Sequence, residues 1–78
     1  MMGFTEDLVE AIARWIIRIW EGRKDDPYWI ADEFYTFPMK PTADDLRKYL
    51  HDHADDCHEG VRRVFEIIIK ESEEGVEI

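Results

Sequence analysis

Residues 42–74, TADDLRKYLHDHADDCHEGVRRVFEIIIKESEE, decide how the rest of the chain is read. Ala43, Leu46, Leu50, Ala54, Cys57, Val61, Val64, Phe65 and Ile68 recur at steps of three and four, the spacing that stacks side chains on one helical face. Asp44, Asp45, Asp52, Asp55, Asp56, Glu59, Glu66, Glu73 and Glu74 fall opposite, giving the apolar stripe an acidic back. Leu46, Leu50, Val61, Val64, Phe65 and Ile68 are the residues expected in the core. One uninterrupted helix here would span roughly 50 Å, whereas a compact domain of this size should measure about 30 Å across. Asp56-Cys57-His58-Glu59 has the cap-x-x-Glu spacing of a new helix start, and Gly60 weakens helical continuity by about 1 kcal/mol. A break near residues 55–59 is therefore expected, with one long helix as the alternative.

Upstream of this stretch, Thr42 followed by Asp44 and Asp45 reads as a capped start with acids in the first turn. Pro38 and Pro41 make residues 37–41 an extended connector. Asp26-Pro27 opens an earlier helix, with Asp26 as cap and Pro27 where a missing N–H costs nothing. That helix should stop by Phe37, because a proline disfavours helical geometry in the residue before it. Tyr28, Trp29, Phe34, Tyr35 and Phe37 are all concentrated in it. Trp29 falls on the polar side among Asp32, Glu33 and Thr36, and two readings are open. It is an exposed binding hot spot rimmed by acids, or residues 38–41 fold back over it.

The first helix opens at Thr5 as cap, with Glu6 and Asp7 in its first turn. Glu6, Asp7, Glu10, Arg14, Arg18 and Glu21 form one polar wedge. Leu8, Val9, Ile12, Ala13, Trp15, Ile16, Ile19 and Trp20 cover most of the remaining circumference, with Ile17 at the edge. So wide an apolar arc places this helix centrally, packed on two sides, or lends one side to a partner. Gly22 is expected to end it. Residues 75–78 add at most a frayed extended end. The expectation is an all-α fold: a small bundle of three to four helices, about 5–21, 26–37, 42–55 and 57–74, in a single domain, residues 1–78.

Composition narrows the function classes. Nineteen acidic against ten basic residues give a formal net charge of −9. Direct nucleic-acid binding needs Lys and Arg for the phosphates, and anionic membrane surfaces demand the same. The partner such a charge fits is a basic protein or nucleoprotein complex, by an attraction that steers encounter and fades with salt. Solubility alone is the competing explanation of the charge. Cys57 is the only cysteine, so a disulfide within the chain is excluded. Residues 1–5 lack the basic start of a signal peptide, and residues 12–20 are too short and carry Arg14 and Arg18, so a cytoplasmic location is expected.

Candidate chemistry centres on His51-x-His53-x-x-x-Cys57-His58. On a continuous helix His53 and Cys57 share a face, and imidazole with thiolate suits Zn²⁺, but four ligands on one metal require the helix to break. Both residues are better read as lying at the core edge, with His51 and His58 solvated or paired to Asp. A nucleophilic Cys–His pair is disfavoured because neighbouring acids raise the thiol pKa. With no phosphate loop, nucleophile elbow or spaced catalytic carboxylate pair, neither an enzyme nor a cofactor is expected.

Glu6, Asp7, Asp44 and Asp45 are explained by helix starts. Glu71, Glu73 and Glu74 crowd a helix end whose dipole disfavours anions, and Asp52, Asp55, Asp56 and Glu59 cluster more densely than capping needs. These acids, with Trp29, Asp32 and Glu33, are the expected partner-binding residues. They suggest an inhibitor or regulator that occupies a basic, nucleic-acid-binding surface, its carboxylates standing in for phosphates. Phage anti-defence proteins of the anti-CRISPR or anti-restriction type share this size and charge. The alternative is a structural or assembly subunit forming a homodimer through the apolar face of helix 1, which Ile16→Asp should weaken.

Overall fold

The computed structural model describes residues 4–74, among which there are four α-helices and no strand. They are α1 (Phe4–Arg23), α2 (Pro27–Phe34), α3 (Ala43–Asp52) and α4 (Glu59–Glu73). Helices α1 and α4 are the central pair: each packs against the other three, while α2 and α3 pack on that pair and not on each other. The radius of gyration is 11.8 Å, against about 11.5 Å from chain length alone. No helix among the described residues is long and apolar enough to cross a membrane.

The core joins Ile12, Ala13 and Ile16 of α1, Ile30, Ala31 and Phe34 of α2, Leu46 of α3, and Val61, Val64, Phe65 and Ile68 of α4. Leu50 is only half-buried, and Ala54, assigned to the same stripe, is exposed. The stripe is interrupted because the chain turns back on itself at residues 53–56, held by the N–H of His53 on the carbonyl of Tyr49 (3.0 Å) and that of Asp56 on His53 (3.1 Å). The two helices lie antiparallel, so Arg47 near the start of α3 reaches Glu73 at the end of α4, and Tyr49 meets Phe65 edge-on at 5.5 Å. A straight continuation would exceed the longest dimension of the molecule, 35 Å.

The break is therefore present, but it begins after Asp52 and its chemistry differs from the expected capping box. The N-cap of α4 is His58, not Asp56: its Nδ1 accepts the N–H of Gly60 at 2.9 Å. Gly60 is buried within α4 and serves a contact, not a break. A Cβ there would lie 2.5 Å from Cδ2 of the Trp20 ring, so only glycine admits α1 this close.

The other helix limits shift for local reasons. Helix α1 starts at Phe4, so Thr5 lies inside it and not at its N-cap. It also runs through Gly22, ending only where the Arg23 carbonyl accepts the Asp26 N–H at 3.0 Å. Its wide apolar arc places it centrally, in contact with all three other helices. Helix α2 stops at Phe34, three residues before the expected limit, and its last carbonyls close i→i+3 turns to Thr36 and Phe37 ahead of Pro38. The start of α3 matches expectation: Thr42 Oγ1 accepts the Asp45 N–H (3.2 Å) and Asp45 Oδ2 accepts the Thr42 N–H (3.0 Å). The expected frayed end at residues 75–78 lies outside the described residues.

Candidate functional site

Helix α2 is the shortest element and presents the most exposed aromatic surface. Asp26 Oδ1 caps it by accepting the Trp29 N–H at 3.1 Å, and Pro27 is buried at its first position. Ile30, Ala31 and Phe34 turn inward to the core. That leaves Tyr28, Asp32 and Tyr35, at spacings i, i+4 and i+7, on the outward face. Tyr28 is 62% and Tyr35 44% exposed.

Trp29 is half-buried, and the Arg23 guanidinium carbon sits 3.8 Å from its ring centroid. It is thus neither an open hot spot nor a fully covered ring, since one of its faces is taken by a cation from the end of α1. The Tyr35 hydroxyl donates to Glu71 Oε1 of α4 at 3.1 Å. Burial first, then that bond, the Glu71 charge and finally Asp32 push the Tyr35 phenol up to about 12. Asp32 is therefore close enough to Tyr35 to be felt electrostatically.

The expected acidic surface does not form one patch. Asp52 ends α3, Asp55 and Asp56 lie in the connector and Glu59 starts α4, whereas Glu71, Glu73 and Glu74 stand at the far end of α4, about 20 Å from Glu59 by helical rise. Even the terminal trio divides: Glu71 turns to Tyr35 of α2, and Glu73 pairs with Arg47 of α3, which also holds Asp44 at 2.8 Å. At the end of α3, Asp52 is paired with Lys48 at 2.9 Å, a bond that holds its carboxyl below the usual range. Asp56 lies 3.6 Å from Nδ1 of His53. Asp32, Glu33, Asp55, Glu59 and Glu74 make no ion pair among the described residues.

His53 and Cys57 are not brought together on a helical face, because α3 ends at Asp52. The His53 ring stacks on Tyr49 with centroids 4.3 Å apart, and the Cys57 thiol approaches the His58 carbonyl at 3.5 Å. Among the described residues no three His, Cys, Asp or Glu side chains are grouped as metal ligands. The Cys57 thiol is raised chiefly by burial, with Asp56 adding to it and Arg62 opposing, so the leading cause is not the acidic neighbourhood that the sequence suggests.

One concavity escapes the sequence. Val9 and Glu10 of α1, Asp45, Lys48, Tyr49 and Asp52 of α3, and His53 just after it line a cleft of about 150 Å³. Its carboxylates are already engaged: Glu10 with Arg14 at 3.4 Å, Asp45 in the helix cap, Asp52 with Lys48. No linear signal brings residues of α1 and α3 together. The Tyr28-Asp32-Tyr35 strip, by contrast, was available in the i, i+4, i+7 spacing itself. Compared with known families, curated proteins and solved structures, the chain matches none.

Proposed function

We propose that the chain is an acidic protein-binding module, an inhibitor or regulator that occupies a basic, nucleic-acid-binding surface of a partner protein or nucleoprotein complex. The supporting observation is the distribution of charge. Arg14, Lys24, Arg47 and Lys48 are held in ion pairs within the chain, and Arg23 lies over Trp29. Asp32, Glu33, Asp55, Glu59 and Glu74 have no such partner among the described residues; Arg18, Arg62, Arg63 and Lys70 also make no ion pair there, so the surface is mixed, with carboxylates in excess. Carboxylates offered in this way substitute for phosphates in a groove lined by Arg and Lys. A phage anti-defence inhibitor of the anti-CRISPR or anti-restriction type, acting in the cytoplasm, is the specific form of this reading.

The test is affinity for a basic partner recovered from the host, measured at low and high salt. Asp55→Lys with Glu59→Lys should weaken binding and flatten its salt dependence. Unchanged affinity and unchanged salt dependence would refute the reading. Self-association through α1 has less support, because Ile17 is the sole large apolar residue of that helix exposed among those described, and Ile16 is fully buried. Ile16→Asp would therefore disrupt the core, and Ile17→Asp is the variant that tests a homodimer, by sedimentation at high salt.

A further inference from the structure

The outward face of α2 combines features that neither acidic end of α4 has. Tyr28, Asp32 and Tyr35 form a strip about 10 Å long by helical rise, and all three are exposed. Tyr28 is 62% exposed, and Tyr35, edge-on to the core ring of Phe34 at 5.4 Å, still leaves 44% of its surface open; Tyr is over-represented where proteins bind one another. Between the two rings Asp32 has no ion pair among the described residues, and at one end Glu71 fixes the Tyr35 hydroxyl and adds a second carboxylate. One position along the same helix, the chain itself supplies the matching ligand: the Arg23 guanidinium stacks on Trp29 at 3.8 Å.

We infer that this strip docks an arginine-bearing segment of a basic protein, the guanidinium stacking on Tyr28, the more exposed of the two rings, while donating to Asp32. The inference rests on the basic-partner reading and names the surface and the side chain recognised. Arginine fits better than lysine because its planar group stacks on a ring while its N–H edge bonds a carboxylate, whereas an ammonium is a hydrated point charge. The complementary charge is that of the molecule as a whole, −9.

The experiment is a two-dimensional NMR titration of the intact chain with a capped peptide of three arginines separated by glycines, and with its lysine counterpart. Shifts should centre on Tyr28, Asp32 and Tyr35, with the arginine peptide about two- to five-fold tighter. Tyr28→Ala, at an exposed site, should keep the circular dichroism spectrum and bring the arginine peptide down to the lysine level; Tyr28→Phe should retain the preference. Shifts centred on residues 52–59, or equal affinity for both peptides, overturn this surface and leave the basic-partner reading standing. The absence of any saturable shift at low salt overturns both.

Discussion

The connector between α3 and α4 and the outer face of α2 both look acidic in sequence, yet the fold treats them oppositely. Around the connector, Asp52 at the end of α3 is paired with Lys48 and Asp56 faces His53, so that only Asp55 and Glu59 are left without an ion pair among the described residues, and no large apolar side chain is exposed between residues 52 and 59. On α2, Asp32 is unpaired among the described residues and is flanked by two exposed tyrosines. Density of acids along a chain is thus not the same as charge offered to a partner. The connector is first a structural joint, tied down by His58 and by the meeting of Gly60 with Trp20. The α2 face carries the combination of ring and carboxylate that a specific contact needs.

The largest expected effect tests whether the connector is such a joint. Gly60→Ala would gain about 1 kcal/mol of helix propensity, but its methyl would sit 2.5 to 2.8 Å from three atoms of a rigid indole. Overpacking should win, with a net loss of about 2 kcal/mol in chemical denaturation. Stability equal to or above the parent would show that α1 and α4 are not locked at this point. Next in size is His58→Ala, which removes the acceptor for the Gly60 N–H and should cost about 1 kcal/mol. His58→Asn should recover most of that, since its side-chain oxygen can cap in the same way; an Asn variant as unstable as the Ala one would mean that the ring's packing near Trp20, and not the hydrogen bond, is what matters.

How far the sequence reaches is visible in these same residues. The stripe Leu46, Val61, Val64, Phe65 and Ile68 is legible because burial imposes a period, and the Thr42 cap because it is a contact between neighbours in the chain. Gly60 was readable only as a weakness in a helix, since its partner Trp20 is brought there by tertiary packing. His58 was hidden because histidine is an uncommon cap, and Asp56 offered the common pattern two residues too early. The site residues fared likewise: most of the acids are exposed as their type suggests, with Glu33 and Glu71 half-buried, but whether Glu73 is free or held by Arg47 depends on α3 and α4 lying antiparallel.

On the α2 side, Tyr35→Phe removes the bond to Glu71 but keeps the ring. At neutral pH the loss should be about 0.5 kcal/mol, since the pair is solvent-screened. The sign with pH is fixed by the direction of the shift. The folded phenol titrates near 12, above the ordinary value of 10.0, so folding favours the protonated form. The contribution is complete below pH 10 and is lost as pH rises through 12. Thermal melts of parent and variant should therefore converge over that interval. A gap that stays constant across it would mean that neither burial nor Glu71 raises the phenol.

The smallest effect on stability is the most informative for function. Asp55→Asn with Glu59→Gln touches exposed carboxylates without an ion pair among the described residues, so folding should change by less than about 0.5 kcal/mol, Glu59 giving up a favourable place in the first turn of α4. If the connector acts on a partner at all, it does so at a distance, since it exposes no apolar anchor. Neutralising it should then slow association and flatten its salt dependence while leaving dissociation unchanged. Tyr28→Ala should do the opposite, speeding dissociation with little change in the rate of encounter. Should the connector variant instead speed dissociation as much as Tyr28→Ala does, the two regions form one contact surface, and the distinction between steering charge and anchoring ring would collapse.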